Sequence, residues 1–581
     1  MSGVTVQATW FGPSNLRLLG WLHAPDDGTA RGGVVLCPTI GQEHVASLRG
    51  VSALADRLAA SGLAVLRYDH AGTGDSAGCV DPEGDLVPEW LNGVAYAERF
   101  LLDIGLRSVD IVGLRVGGLV AAAAAARCRS ARRLVLWDPF GSGREYLREQ
   151  QARAGLSLAT ARAEEASTAS PLERVDGVGV DFSAATAASL AALSVGAVRE
   201  FVAPAPGASP DRSGRSVLLL TREERFARSL RSIVDVPGVR QRAVRGQGAL
   251  LAANSYESVV DTATLDVIVQ ALATDDPPCL LRWVPTPQAV VDDTAGVVER
   301  VVRLGTQQLF GVLTWAPGFT GSTASCAVFV SPATDHHVGP GRAWVDLARR
   351  MAPHGVLSLR FDRLGVAESA VPQQRAIPLS YTEQSVRDAE DVVSALRDLA
   401  RSAPDLARWG DAAVDLIGLC SGAWVASVAA PRVRARRLVA INPVIWLRRP
   451  RPLGPASIGE KDQQLVESST ASSRSVSRTR LKGLMPHRAW RLVARAGAVN
   501  AVDTLVRPAL RRGAEVHILL GHVEQALFAA HRGPESLRRL RSHPLRVYAV
   551  PGADHSLQSR RGRSTVCDVV VSTVTSAGTT T

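Results

Sequence analysis

Two halves of this 581-residue chain repeat one another. LLGWLHAPDD at 18–27 returns as LFGVLTWAPG at 309–318, and LADRLAASGLAVLRYDHAGTGDSAG at 54–78 returns as LARRMAPHGVLSLRFDRLGVAESAV at 347–371. VDIVGLRVGG (109–118) is answered by VDLIGLCSGA (414–423), and RRLVLWDPF (132–140) by RRLVAINPV (436–444). SVLLLTREER (216–225) and AVRGQGALL (243–251) are answered by VHILLGHVEQ (516–525) and AVPGADHSL (549–557). The offset stays between 291 and 306 residues throughout. Such self-similarity means two copies of one domain, and a chain this long needs more than one core in any case. The expected domains are 1–275 and 289–581, joined near TDDPPCLLRWVPTPQ (274–288), where prolines and acidic residues interrupt the pattern.

Within each copy, short β-branched runs such as GGVVLCPT, GLAVLRYD, VDIVGL and RRLVLWD alternate with stretches of helical length rich in alanine and arginine. That alternation indicates βαβ units and a mainly parallel sheet, an α/β fold class in each half. Two segments, about 140–212 and 446–512, fit the sheet poorly and read as insertions that cap a site. The second carries a serine-rich run followed by a basic amphipathic stretch, in which Leu481, Leu484, Trp490 and Leu492 are expected to cover the pocket.

Charge is a weaker guide than its size suggests. The formal net charge is +11, yet of 66 basic residues only Lys461 and Lys482 are lysines, and the arginines are spread along the chain. No nucleic-acid-binding signature accompanies them, so a nucleic-acid partner is not expected. The seven cysteines are scattered without CxxC pairs, which suggests neither a zinc site nor a disulfide framework. The N-terminus MSGVTVQATWFGPSN lacks the features of a signal peptide, and the apolar stretch after Gly118 is too short to span a bilayer. A cytoplasmic location and no membrane partner are the expectations. Without a glycine-rich phosphate loop or dinucleotide fingerprint, no cofactor is expected, and no metal is needed.

The chemistry concentrates in the second copy. VDLIGLCSGAW (414–424) reads as a strand, a sharp turn and a helix start, with Gly418 and Gly422 flanking Cys420. This is the G-x-Nuc-x-G elbow, whose glycines are required because neighbouring Cβ atoms would collide with the adjacent strand and helix. Centring on Ser421 instead would put Leu419 and Ala423 at those places, so Cys420 is the better candidate. A helix N-terminus there favours thiolate character. The plain alternative is a buried structural cysteine. His555, in a turn after a late strand, stands where a general base would reach the elbow. Glu524 stands where the acid that orients it would sit, with Asp554 and His522 as nearest alternatives. The order nucleophile, acid, histidine suits an elbow of this kind. An oxyanion hole needs two backbone N–H groups: Ser421 would give one, and Ala333 or Thr334, after the strand CAVFV, the other. His336 and His337 in that loop have no third ligand at metal spacing and are expected to shape the loop.

HHVGPGRAWVDLARRMAPHGVLSLRFDRLGVAES, LIGLCSGAW and GADHSL together resemble the α/β-hydrolase superfamily, in particular bacterial serine-aminopeptidase-like or exosortase-system-associated hydrolases. The resemblance covers both copies nearly end to end. It implies two tandem α/β-hydrolase domains and the assignment Cys420, Glu524, His555. Most of the superfamily has serine at the elbow; cysteine occurs in dienelactone hydrolases and some thioesterases. In the first copy the elbow position holds Arg115, the histidine position aligns with Ala249, and only an acid, Glu224, remains. That copy reads as a fold without its triad, with Arg115 either structural or holding an anion. The expected activity is hydrolysis or transfer of the acyl group of an ester or thioester through a thioester intermediate, in a biosynthetic setting. Its partner would be a small-molecule acyl substrate, possibly carrier-bound; the alternative is an inactive scaffold or ligand-binding protein.

Overall fold

The computed structural model describes residues 3–78, 83–157, 175–203, 214–224, 227–252, 255–321, 324–370, 378–454, 487–495 and 499–576. The chain divides into two compact units. Residues 1–157, 170–294 and 298–301 fall to the first, and 302–581 to the second. Cys279–Leu280, within the stretch read as a linker, pairs with Thr29–Ala30 of the first unit.

The first unit is built on β1 (Val4–Phe11), β2 (Leu18–Pro25), β3 (Gly33–Cys37), β4 (Ala64–Tyr68), β5 (Val109–Leu114), β6 (Ala131–Trp137), β7 (Ser216–Arg222) and β8 (Val239–Val244). They form one eight-stranded sheet in the order β1-β2-β4-β3-β5-β6-β7-β8. Pairing is antiparallel only where β2 meets β1 and β4, and parallel elsewhere. Because side chains alternate across a strand, the unit has a core on each face. Val35 and Cys37 join Trp90, Val94 and Leu119, whereas Val34 and Leu36 join Leu54, Leu58, Val112 and Trp137. Helices α1 (Gln42–Ala60), α2 (Val87–Asp103), α3 (Val116–Ala125) and α4 (Gly143–Ser157) connect these strands or follow them.

The second unit repeats the plan. Its sheet is made of β9 (Gln288–Asp292), β10 (Val297–Leu304), β11 (Leu309–Trp315), β12 (Ser325–Val330), β13 (Val356–Phe361), β14 (Ala413–Leu419), β15 (Arg437–Ile441), β16 (Glu515–Leu520) and β17 (Leu545–Ala549), of which β9 and residues 298–301 of β10 count with the first unit. The nine-stranded order is β9-β10-β11-β13-β12-β14-β15-β16-β17. The inner strands are buried along their length, and on one face of the sheet Ala327 and Phe329 pack with Trp344 and Leu347, and with Val566 and Val570. Those four belong to α5 (Ala343–Met351) and to the C-terminal helix Arg560–Thr575. Between them in sequence come α6 (Glu383–Ser402), α7 (Ser421–Val433), α8 (His487–Arg495), α9 (Val502–Arg511) and α10 (His522–Ala530). Helix α7 packs against α6 and α9. Each unit is thus built on a mainly parallel sheet flanked by helices, an α/β fold, with the order of its central strands crossed.

Much of the two predicted caps, including Leu481, Leu484 and the serine-rich run, lies outside the described residues. Trp490 of α8 is buried and donates its indole N–H to the Asn500 carbonyl at 2.8 Å. Leu492 does not cover a pocket: it is 65% exposed. The reason is helical period, since Trp490 and Ala494, four apart, take the buried face and a residue midway between them points away.

Candidate active site

Cys420 sits between β14 and α7 with φ 52° and ψ −115°, a backbone conformation that is strained for any side-chain-bearing residue. Its neighbours hold it there. The Cys420 N–H donates to the Ile441 carbonyl at 2.9 Å, and its own carbonyl accepts the first helical bond, from Trp424. The glycines explain themselves sterically. A Cβ on Gly418 would lie 2.3 Å from the Gly422 carbonyl oxygen, and one on Gly422 would lie 2.1 Å from that of Val330. Only bare backbone fits where strand, turn and neighbouring strand converge.

His555 comes to the thiol from the loop after β17. Its Nε2 is 3.2 Å from Cys420 Sγ, and its Nδ1 is 2.7 Å from Glu524 Oε1. Glu524, in the first turn of α10, is 1% exposed on its side chain and the histidine 25%. With Nδ1 donating to the carboxylate, the ring presents Nε2 to sulfur. Burial alone would lower the histidine's pKa. The electrostatic interaction and hydrogen bond with Cys420, together with Glu524, outweigh burial and hold it well above the ordinary value. The two alternatives to Glu524 stand elsewhere. Asp554 spends its carboxylate on the backbone N–H groups of Ser556, Gln558 and Ser559, closing the turn, and His522 is exposed at the start of α10.

Asn442, which the sequence reading passed over, ties these loops together. It follows β15 at φ 46°. Its amide donates to the carbonyls of Asp554 and His555 at 3.1 and 3.0 Å, while its Oδ1 accepts from the Gly521 N–H at 2.8 Å. One side chain therefore sets the histidine loop against the turn that leads to Glu524. Tyr381 was missed as well. Buried and at φ 57°, it brings its hydroxyl 3.8 Å from Cys420 Sγ and lies edge-on to Trp424, with ring centroids 5.7 Å apart. No local pattern marks that loop; only the chain order, just ahead of α6, places it near the elbow.

Of the two residues considered for the second oxyanion donor, Ala333 faces the elbow, and Thr334 is the next residue of the same turn. The Ala333 N–H donates to Ser421 Oγ at 2.7 Å, so in this state the donor is engaged by a hydroxyl. Ala333 has φ 34°, and its carbonyl accepts from the buried Arg363 guanidinium, which also reaches Ser385 Oγ at 2.7 Å. The histidines of this loop fold it: His337 bonds Asp362 through backbone and ring, and His336 Nδ1 accepts from the Val338 N–H.

The first unit forms the same turn around a different residue. Arg115 has φ 55° and ψ −120°, and Cβ atoms on Gly113 and Gly117 would clash as their counterparts do. Its buried guanidinium pairs with Glu43 at 3.0 Å, Glu149 at 2.6 Å and Asp138 at 3.3 Å, and lies 3.9 Å over the Phe140 ring. Burial opposes its charge, but the three carboxylates outweigh burial and raise its pKa. Ala249 and Glu224, at the histidine and acid positions of the repeat, are both exposed, and neither touches Arg115.

No family model and no curated protein matches this chain. Among solved structures it is similar to Est1E from Butyrivibrio proteoclasticus with ferulic acid bound, at 16% identity over 46% of this chain and 96% of that one, TM-score 0.32. It is likewise similar to proline iminopeptidase from Mycobacterium smegmatis, at 16% identity over 46% and 97%, TM-score 0.31. A third is dienelactone hydrolase from Anabaena variabilis, at 13% identity over 47% and 93%, TM-score 0.29.

Proposed function

We propose that the second copy, 289–581, is an acyl hydrolase or acyltransferase that uses Cys420 as nucleophile, His555 as base and Glu524 to orient the histidine. The observation that carries this reading is the line of contacts Sγ to Nε2 at 3.2 Å and Nδ1 to Oε1 at 2.7 Å, ending on a strained elbow. Each distance is within reach for proton transfer, and the base is itself oriented by a third group.

The steps balance as follows. His555 Nε2 takes the thiol proton, and sulfur attacks the carbonyl carbon of an ester or thioester. The oxygen, now negative, accepts from the Ser421 N–H and from the Ala333 N–H as it displaces the Ser421 hydroxyl. The intermediate collapses, His555 protonates the departing alcohol or thiol, and a thioester remains on Cys420. Water or another nucleophile, deprotonated by His555, attacks that thioester, and the thiol leaves with the proton restored. A thioester stays activated toward amines and thiols, which makes transfer to an acceptor other than water accessible. The Tyr381 hydroxyl, beside Sγ, is placed to donate to the developing charge. The first copy, 1–275, with Arg115 locked among carboxylates, is the non-catalytic half.

Incubation of the full chain with a short-chain p-nitrophenyl ester and with an acyl thioester, followed by intact and peptide mass measurement, tests this. An acyl adduct on the Cys420 peptide, absent in Cys420→Ala, is expected, with turnover lost by orders of magnitude. A Cys420 that takes neither acyl group nor iodoacetamide would put the scaffold reading in its place.

A further inference from the structure

The second unit holds a cavity of about 460 Å³, lined by five arginines (Arg432, Arg448, Arg449, Arg507 and Arg511) and two carboxylates (Glu383 and Asp503). Two of the arginines are tethered. Arg432 pairs with Glu383 at 2.6 Å and Glu390 at 2.8 Å, and Arg507 with Asp503 at 3.2 Å. Among the described residues, Arg448, Arg449 and Arg511 have no carboxylate partner. Like charges gathered on one concave surface repel, and three of them meet here.

The segment presenting them is rigid. In LRRPRPL (447–453) the prolines at 450 and 452 fix φ. The same segment is stitched to the strand-like lead into α6: Ser380 and Leu453 exchange both backbone bonds, at 3.0 and 3.1 Å, and the Arg451 N–H donates to the Tyr381 carbonyl at 3.0 Å. The cavity is also connected to the nucleophile. The Leu447 carbonyl accepts from Trp424 Nε1 at 2.6 Å, Trp424 lies against Tyr381, and Tyr381 reaches Cys420. Leu447, Trp424 and Tyr381 therefore form a line of buried contacts from the cavity wall to sulfur.

We propose that this cavity binds the phosphate groups of the acyl donor, so that the substrate class is a phosphate-bearing thioester. The proposal rests on the acyl-transfer reading of Cys420. Three guanidiniums without a carboxylate call for a ligand of more than one negative charge, and their planar fork matches phosphate oxygens two at a time. A lone carboxylate would leave most of the charge uncompensated. A flexible arm between phosphate and thioester would span the aromatic pair.

The test uses the full chain and the variant Arg448→Ala/Arg449→Ala/Arg511→Ala, whose exposed side chains hold no partner and whose loss should leave the melting temperature unchanged. Titration calorimetry with inorganic pyrophosphate and with coenzyme A should show saturable binding to the parent, weakened at least tenfold in the variant. In turnover, kcat/KM for acetyl-coenzyme A should fall at least tenfold in the variant, while that for the phosphate-free S-acetyl-N-acetylcysteamine changes less than twofold. Absence of pyrophosphate and coenzyme A binding to the parent overturns the proposal, as does an equal fall for both thioesters. If both phosphate ligands bind and the variant loses them while neither thioester is turned over, the cavity stands as a phosphate site and the acyl-transfer reading of Cys420 fails.

Discussion

Replacing Arg115 by methionine removes the centre of the first unit's buried charge cluster, and the structure says which partner suffers. Asp138 keeps Arg222, at 2.7 Å, and Glu149 is partly exposed and keeps Arg153, at 2.8 Å. Glu43 is left with the Thr39 hydroxyl at 3.0 Å and Arg153 no closer than 3.5 Å, on a side chain 2% exposed. The penalty therefore falls on one carboxylate rather than three. Breaking a buried pair costs about 3–5 kcal/mol; the lower end applies because Glu43 keeps partial company. Loss of the guanidinium over Phe140 adds about 1 kcal/mol, which methionine's own packing partly offsets. The expected total is about 3–4 kcal/mol, or between two and three decades in an opening equilibrium at roughly 1.4 kcal/mol per decade. Hydrogen exchange of the full chain reads this directly: β5 should exchange faster by that factor, with β14 as the internal reference. The sign with pH is fixed too. In the parent, burial would raise Glu43, but Arg115 outweighs it and holds the carboxyl below its ordinary range, so its stabilising contribution is lost as pH falls. In the variant the same carboxyl is raised by burial, so the variant's deficit should grow from about pH 4.5 to about pH 7. Adding Glu43→Gln to Arg115→Met should recover most of the loss. A deficit under about 1 kcal/mol, or a double variant as unstable as the single, would refute the assignment of the cost to Glu43.

Two further outcomes bear on the second unit. Tyr381→Phe should lower kcat/KM on an ester substrate by about tenfold, the worth of one modest hydrogen bond, with the melting temperature and the Cys420 adduct site unchanged; an unaltered kcat/KM would mean that the hydroxyl only packs. Because Cys420 and Glu524 raise His555 against the effect of burial, its contribution to stability is fully present below the ordinary histidine pKa and disappears as pH rises through the raised value. Urea unfolding of parent and His555→Gln should therefore differ more at about pH 6 than at about pH 9.5, and a gap that widens with pH would contradict the ion pairing.

What the sequence disclosed and what it hid divide along physical lines. Gly418 and Gly422 were legible because a steric prohibition leaves a mark in the residue type itself, and the same holds for Gly113 and Gly117 around an elbow with no nucleophile. His555 and Glu524 were legible through their order relative to the late strands, and the structure sets His555 against the thiol and Glu524 against His555. Tyr381, Asn442 and the partners of Arg115 were not. Each depends on a loop turning through positive φ or on residues from separate elements converging, and neither leaves a short-range pattern. Leu492 went the other way: its apolar type suggested coverage, and the helix's period put it in solvent.

The hydroxyl of Ser421 has a consequence for discrimination. Whatever oxygen approaches the Ala333 N–H must compete with an acceptor already seated there at 2.7 Å. A neutral carbonyl accepts about as well as a hydroxyl, so an arriving substrate gains almost nothing by displacing it. An oxygen carrying a full negative charge forms a bond roughly twice as strong and wins the exchange. On the proposed mechanism the resident hydroxyl would act as a threshold: it would withhold the donor from the resting substrate and yield it once the carbonyl has been attacked, so that the energy of this contact would lower the barrier instead of deepening the well before it.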